Sequence, residues 1–152
     1  MSGLDLIATQ ELILAHIQTQ FSAYEVVEDY ILNEQELLRV DSRVKPYIVI
    51  SWDGLMAVPG GGAISGVRYD EYSSGFDIGV IAPTPKQCRR SVNIIVDNLI
   101  GWSYDDVAHL SPGGSSRPFV AAQRDGVPHL YMAMAEFTFP MNTSGIGAYI
   151  TP

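Results

Sequence analysis

Apolar side chains near the start of the chain recur at helical spacing. Leu6, Ile7, Ile13, Leu14, Ile17 and Phe21 fall toward one side of a 3.6-residue repeat. Leu4, Leu12 and Ala15 widen that arc, and Asp5 suits the positive end of a helix dipole. The pattern predicts a helix over the first twenty residues. Its apolar surface is broad enough that cover by its own sheet and by a neighbour is expected. Residues 24–32 mix Tyr24, Val26, Val27, Tyr30 and Ile31 with Glu25, Glu28 and Asp29, which favours a strand. Residues 34–39 fit one or two helical turns, followed by a charged loop over 41–45.

The clearest strand is Tyr47-Ile48-Val49-Ile50-Ser51-Trp52, nearly continuous in β-branched and aromatic residues and ended by Asp53-Gly54. Residues 58–63 contain Pro59 and Gly60-Gly61-Gly62 and predict an exposed loop. A strand is expected over 67–72, a turn at Ser73-Ser74-Gly75, and a further strand over 76–82 in which Phe76, Ile78 and Val80 share one face. The best-marked element follows. Thr84 is a good N-cap, Pro85 takes the first helical position, and Gln87 completes a capping box. Cys88, Val92, Ile95, Val96 and Leu99 line one face, while Lys86, Arg89, Arg90, Asn93 and Asp97 line the other. Gly101 stops the helix and Trp102 caps its end. Residues 111–116 read as a second flexible loop. Strands over 119–123 and 130–139 flank an Asp125-Gly126 hairpin turn.

Short turns between strands imply antiparallel pairing. The expected fold is therefore α+β: an antiparallel sheet of four to five strands with two helices packed on one face. Residues 1–139 form a single domain. Residues 140–152, rich in Gly, Thr and Ser, are expected to form a flexible C-terminal arm. No internal repeat is present.

Composition narrows the function. The chain has 152 residues, 17 acids and nine Lys or Arg, for a formal charge of −8. That balance argues against gripping nucleic acid through its phosphates and against binding anionic membranes. The charged fraction is 17%, below the roughly 25% of average domains, which fits surface hidden by partner subunits. A lone cysteine, Cys88, implies no intrachain disulfide. The start lacks the layout of a signal peptide, no apolar run is long enough for a membrane span, and the chain is expected in the cytosol when made.

Candidate chemistry is sparse. His16, His109 and His129 sit at no zinc-ligand spacing, so no metal or cofactor site is expected. Cys88 fits the apolar stripe of its helix better than a nucleophile's role. Asp53, Asp70 and Asp77 lie near strands, and a carboxylate pair there is conceivable, but Asp53 reads as a turn residue and Asp77 as the polar side of an alternating strand. Gly60-Gly61-Gly62 lacks the Lys-Ser/Thr ending of a phosphate loop and runs into no helix; it is a candidate subunit-interface loop. Arg89 and Arg90 concentrate positive charge on the second helix and are interface candidates as well, since Arg is enriched at interfaces. No catalytic residue is assigned.

This layout resembles the tail terminator subunits of long, non-contractile-tailed phages. The resemblance runs from Leu4 to about Phe139. It rests on the helix–strand opening, on Lys45-Pro46-Tyr47-Ile48-Val49-Ile50, on Asp77-Ile78-Gly79-Val80-Ile81-Ala82 leading to the capped helix and Leu99-Ile100-Gly101-Trp102, and on the final hairpin. These are features of layout, and the Gly-rich loop and C-terminal arm have no match in the family. The resemblance implies a virion protein, a homohexameric ring on the head-proximal end of the tail tube. Such a ring stops tube polymerisation, contacts tube protein and head-completion or connector protein, and lets DNA pass. Six copies at −8 each carry a formal −48. Acids that would line such a channel are Glu25, Glu28, Asp29, Asp70 and Glu71. Two alternatives stand beside it: another neck or tail subunit, such as a head-completion or tube protein, and a small α+β enzyme or ligand-binding domain.

Overall fold

The computed structural model describes residues 6–32, 36–37, 39–40, 43–57, 63–64, 67–68, 71–103, 110–122 and 130–142. In chain order the elements are α1 (Leu6–Gln20), β1 (Glu25–Glu28), β2 (Arg39–Val40), β3 (Arg43–Val44), β4 (Tyr47–Trp52), β5 (Met56–Ala57), β6 (Ala63–Ile64), β7 (Val67–Arg68), β8 (Glu71–Ala82), α2 (Pro85–Leu99), β9 (Ser111–Ser115), β10 (Phe119–Ala122) and β11 (Leu130–Asn142). The main sheet runs β1-β4-β8-β11-β10, with β5 beside β8 and β9 beside β11. β2–β3 and β6–β7 form two small separate ladders. The class is α+β, as expected. The sheet is mixed and not wholly antiparallel, because β1 lies parallel to β4. Residues 29–46 lie between them, long enough for the return that a parallel pair requires.

Alternation along the strands divides the sheet into two faces. Ile48 and Ile50 of β4, Phe76, Ile78, Val80 and Ala82 of β8, and Ala133, Ala135, Phe137 and Phe139 of β11 gather on one face with Ile13 and Ile17 of α1 and Cys88, Val92, Ile95 and Leu99 of α2. Both helices thus serve one core. Phe76 stacks on Phe137 at 5.5 Å. The opposite face holds a smaller cluster of Val27, Leu32, Tyr47, Val49, Ile81, Leu130 and Met132. It is tied to the chain after β1 by the Leu32 N–H, which donates to the Tyr47 hydroxyl at 3.1 Å.

The second helix forms as its sequence dictates. The Gln87 N–H donates to the Thr84 hydroxyl at 3.2 Å. The reciprocal half of the capping box differs: the Thr84 hydroxyl donates to the Gln87 side-chain oxygen at 3.3 Å. Gly101 takes φ +75°, the left-handed conformation that ends many helices. Ser91 is buried and shares a hydrogen bond with Tyr24, joining α2 to the chain ahead of β1.

Several expectations need correction. No turn occurs at Ser73-Ser74-Gly75, because β8 runs straight through it. The Ser74 hydroxyl donates to the carbonyls of Asp53 and Gly54. At Gly75 a Cβ would lie 2.6 Å from the Phe137 carbonyl, so small residues there permit close strand approach rather than a bend. Residues 71–72, expected to close an earlier strand, instead open β8, and only Val67–Arg68 stand apart. Residues 111–115, expected in a loop, form β9, which pairs with the outer side of β11. The strand expected over 24–32 ends at Glu28, where Asp29 adopts φ +61°. Arg39, expected to end a helical turn, opens β2, and Arg43–Val44, expected in a charged loop, form β3 paired with it. β11 continues to Asn142, so the sheet extends past the expected domain end at 139. Gly60, Gly61, Gly62, Asp70, His109, His129, the Asp125-Gly126 turn and the arm beyond 142 lie outside the described residues.

Candidate functional site

Two of the chain's nine basic residues, Arg89 and Arg117, meet where α2 faces the end of the sheet. Arg89 is exposed on the first turns of α2. Facing it is the link between β9 and β10, held in place because the Ser116 N–H donates to the Met134 carbonyl at 2.7 Å while the Ser116 hydroxyl accepts from the Met134 N–H at 2.9 Å. That pinning presents Arg117 beside α2. Together they bound a cleft of about 490 Å³ lined by Arg89, Asn93, Ser115, Ser116 and Arg117, with Pro85, Val92, Pro118 and Ala133 at its apolar floor and rim. No acid lines it. Guanidinium, amide and hydroxyl groups are donors of the kind that carboxylates and other oxyanions accept from. Arg90, the other basic interface candidate, is exposed but does not line the cleft.

The acids expected to line a channel divide. Glu25, Glu28 and Asp29 come together on β1 and its end. Glu28 is exposed and accepts from the Trp52 indole N–H at 2.7 Å; Asp29 is exposed and accepts from the Trp52 backbone N–H at 3.1 Å. Glu25 is half-buried, with Oε2 enclosed and lacking a hydrogen-bond partner. Glu71 begins β8, beyond the stretch that pairs with β4, and is not part of this group.

The carboxylate pair considered from sequence takes a different form. Asp77 lies directly across from Glu136 in the β8–β11 ladder. Burial, then the charges of Asp53 and Glu136, raises the Asp77 carboxyl above the usual carboxylate range. Glu136 was not singled out in the sequence, because only strand register brings it to Asp77. Three acids share this part of the sheet, yet no group of three ligands suited to a metal ion occurs among the described residues.

Cys88 sits in the core, where its Sγ contacts the Tyr131 carbonyl at 3.1 Å and burial pushes the thiol up. A raised thiol is a poor nucleophile at neutral pH, consistent with its place in the apolar stripe. His16 stacks on Trp102 at 3.9 Å, and burial holds its imidazole below the ordinary value. Trp102 thereby closes α2 against α1. Large apolar side chains also remain exposed: Ile7 and Leu12 on α1, Ile94 and Ile100 on and just after α2, and Phe119 and Val120 on β10. α1 is covered on the side of Thr9, Ile13 and Ile17 only. No helix among the described residues is long and apolar enough to cross a membrane. No protein-family model and no curated protein matches the chain.

Proposed function

We propose that the chain is a tail terminator subunit of a phage with a long, non-contractile tail, acting as a hexameric ring that caps the tail tube. The ring would join the tube to the head-completion or connector protein and let DNA pass. The observation that carries this reading is where apolar surface remains exposed. Ile7 and Leu12, both more than half exposed, lie on one helix, and Phe119 and Val120 lie on an edge strand at the far end of the sheet. Separate apolar surfaces that water would penalise suit a subunit buried against several neighbours. The two-arginine cleft and the −8 charge fit the same role. Two bases serve one local contact, and the net negative charge disfavours holding a polyanion.

Negative-stain imaging of the purified protein, alone and with tail tube protein, tests the proposal. The expected result is a ring of six with an open centre that binds tube ends and halts their growth. Long polymers formed by the chain alone would identify a tube protein instead. A monomer that leaves tube growth unchanged would end the terminator reading.

A further inference from the structure

Two edge strands at opposite ends of the main sheet, β1 and β10, are equal in length and differ in the charge beside them. At one end, β1 spans four residues, Glu25–Glu28, with Asp29 directly after. Between Glu25 and Leu32 the sequence holds three acids and no base. At the other end, β10 also spans four residues, Phe119–Ala122. Arg117 stands just ahead of it, and Arg89 stands across the cleft beside it. Among the described residues neither strand has a partner on its outer side. An edge strand offers a row of unpaired backbone donors and acceptors, and proteins guard such rows with charge, proline or cover. β10 is short and its ladder with β11 shifts register between Val120 and Ala122, but it holds no charge or proline within its span: it reads Phe-Val-Ala-Ala, with Phe119 and Val120 exposed.

We infer that β10 receives β1 of a second copy of this chain, so that the sheet continues from subunit to subunit. Strand sense selects the geometry. β1 and β4 run together, β8 opposes them, β11 opposes β8, and β10 opposes β11. β10 therefore runs opposite to β1 within one subunit. A copy that keeps its strand sense, as one rotated about an axis along the strands does, brings its β1 to β10 antiparallel. In that arrangement the start of β10 faces the end of the incoming β1. Arg117 then lies opposite the second copy's Glu28 and Asp29, with Arg89 adding positive charge on the same side. The contact joins two different surfaces, so it is head-to-tail and generates a closed ring or an open filament. Its closure at six rests on the terminator reading; the pairing of the edges does not.

Single charge reversals test the pairing. Arg117→Glu and Glu28→Arg each set like charges against one another in a uniform population, and each alone is expected to weaken association about 100-fold. An equimolar mixture of the two restores an opposite-charge pair at every contact, with the variants alternating, and should recover the wild-type mass in sedimentation velocity. The double variant in one chain should recover it too. Glu28→Gln, which keeps a side-chain oxygen for the Trp52 indole, should weaken association to an intermediate degree, and circular dichroism and melting confirm that each variant is folded. The pairing is overturned if folded variants assemble as the wild type does, if the mixture stays apart, or if the wild type is monomeric at the highest concentration reached. The two proposals fail separately. An edge-paired assembly that leaves tube growth unaffected ends the terminator reading alone, and an Arg117→Glu protein that still forms capping rings ends the edge pairing alone.

Discussion

Tyr47 shows how much one side chain can hold. It is almost wholly buried and lies at the centre of the smaller cluster. Its hydroxyl accepts the Leu32 N–H, which would otherwise be a buried donor without a partner. Burial pushes the phenol up to about 12; the Leu32 N–H works against that rise, and the charges of Glu25 and Glu36 add to it. The folded protein thus keeps this proton at a pH where the unfolded chain, near 10, gives it up. By linkage the contribution is whole below about pH 10 and is lost as pH climbs through the folded value. Tyr47→Phe should destabilise the fold at neutral pH by about 1–3 kcal/mol, the cost of an orphaned buried donor. It should also flatten the loss of stability between about pH 10 and 12. Urea melts of both proteins at pH 7 and pH 11 measure both effects. An unchanged neutral midpoint would show that water replaces the hydroxyl.

Among the elements, α2 rests on agreement between signals of different kinds. Its cap, its apolar stripe and its terminating glycine all specify the same fifteen residues. Leu99, fully buried on the stripe, is packed with the Ile48, Ile50, Ile78 and Val80 rows of the sheet. Leu99→Ala should cost about 2–5 kcal/mol by chemical denaturation; a loss under about 0.5 kcal/mol, typical of surface sites, would contradict this packing. Where local and tertiary signals part, the sequence is less readable. β4 announces itself by a continuous β-branched and aromatic run, and the later half of β8 by apolar alternation. Ser111-Pro112-Gly113-Gly114-Ser115 has the composition of a loop and becomes strand because the long β11 offers it an edge. Ser73-Ser74-Gly75 resembles a turn, but its small residues serve close packing within a long strand. The parallel β1–β4 pair is invisible locally, since direction is set by a connection and not by a strand's own residues. The site divides in the same way. Arg89 is evident from the polar face of α2, whereas Arg117 joins it only through the fold, and Glu28 and Asp29 group with each other by adjacency while their place at the opposite edge of the sheet comes from strand order.

Charge at the scale of the whole molecule is both excessive and uneven. Seventeen acids stand against nine bases, and two of those bases, Arg89 and Arg117, face one cleft. If that cleft is filled by a neighbour's acids, assembly covers positive and negative charge together and closes the cleft as a positive surface. The cleft is then open to a polyanion in free subunits and closed in assembled ones. Fields of exposed charge extend roughly 8 Å at physiological salt, so an acidic lining keeps DNA off a wall without closing a wider opening. The assembled protein should therefore show no measurable retention of duplex DNA at about 50 mM salt, where phosphate-neutralising proteins bind tightly. The Arg117→Glu subunit, though dissociated, should bind no better, because the same substitution weakens its positive cleft. Filter retention across a salt series measures both. Tight binding by the wild type that falls linearly with the logarithm of salt and disappears in Arg89→Glu or Arg117→Glu would recast the cleft as a phosphate site. The chain would then be a protein that holds nucleic acid, not one that lets it pass.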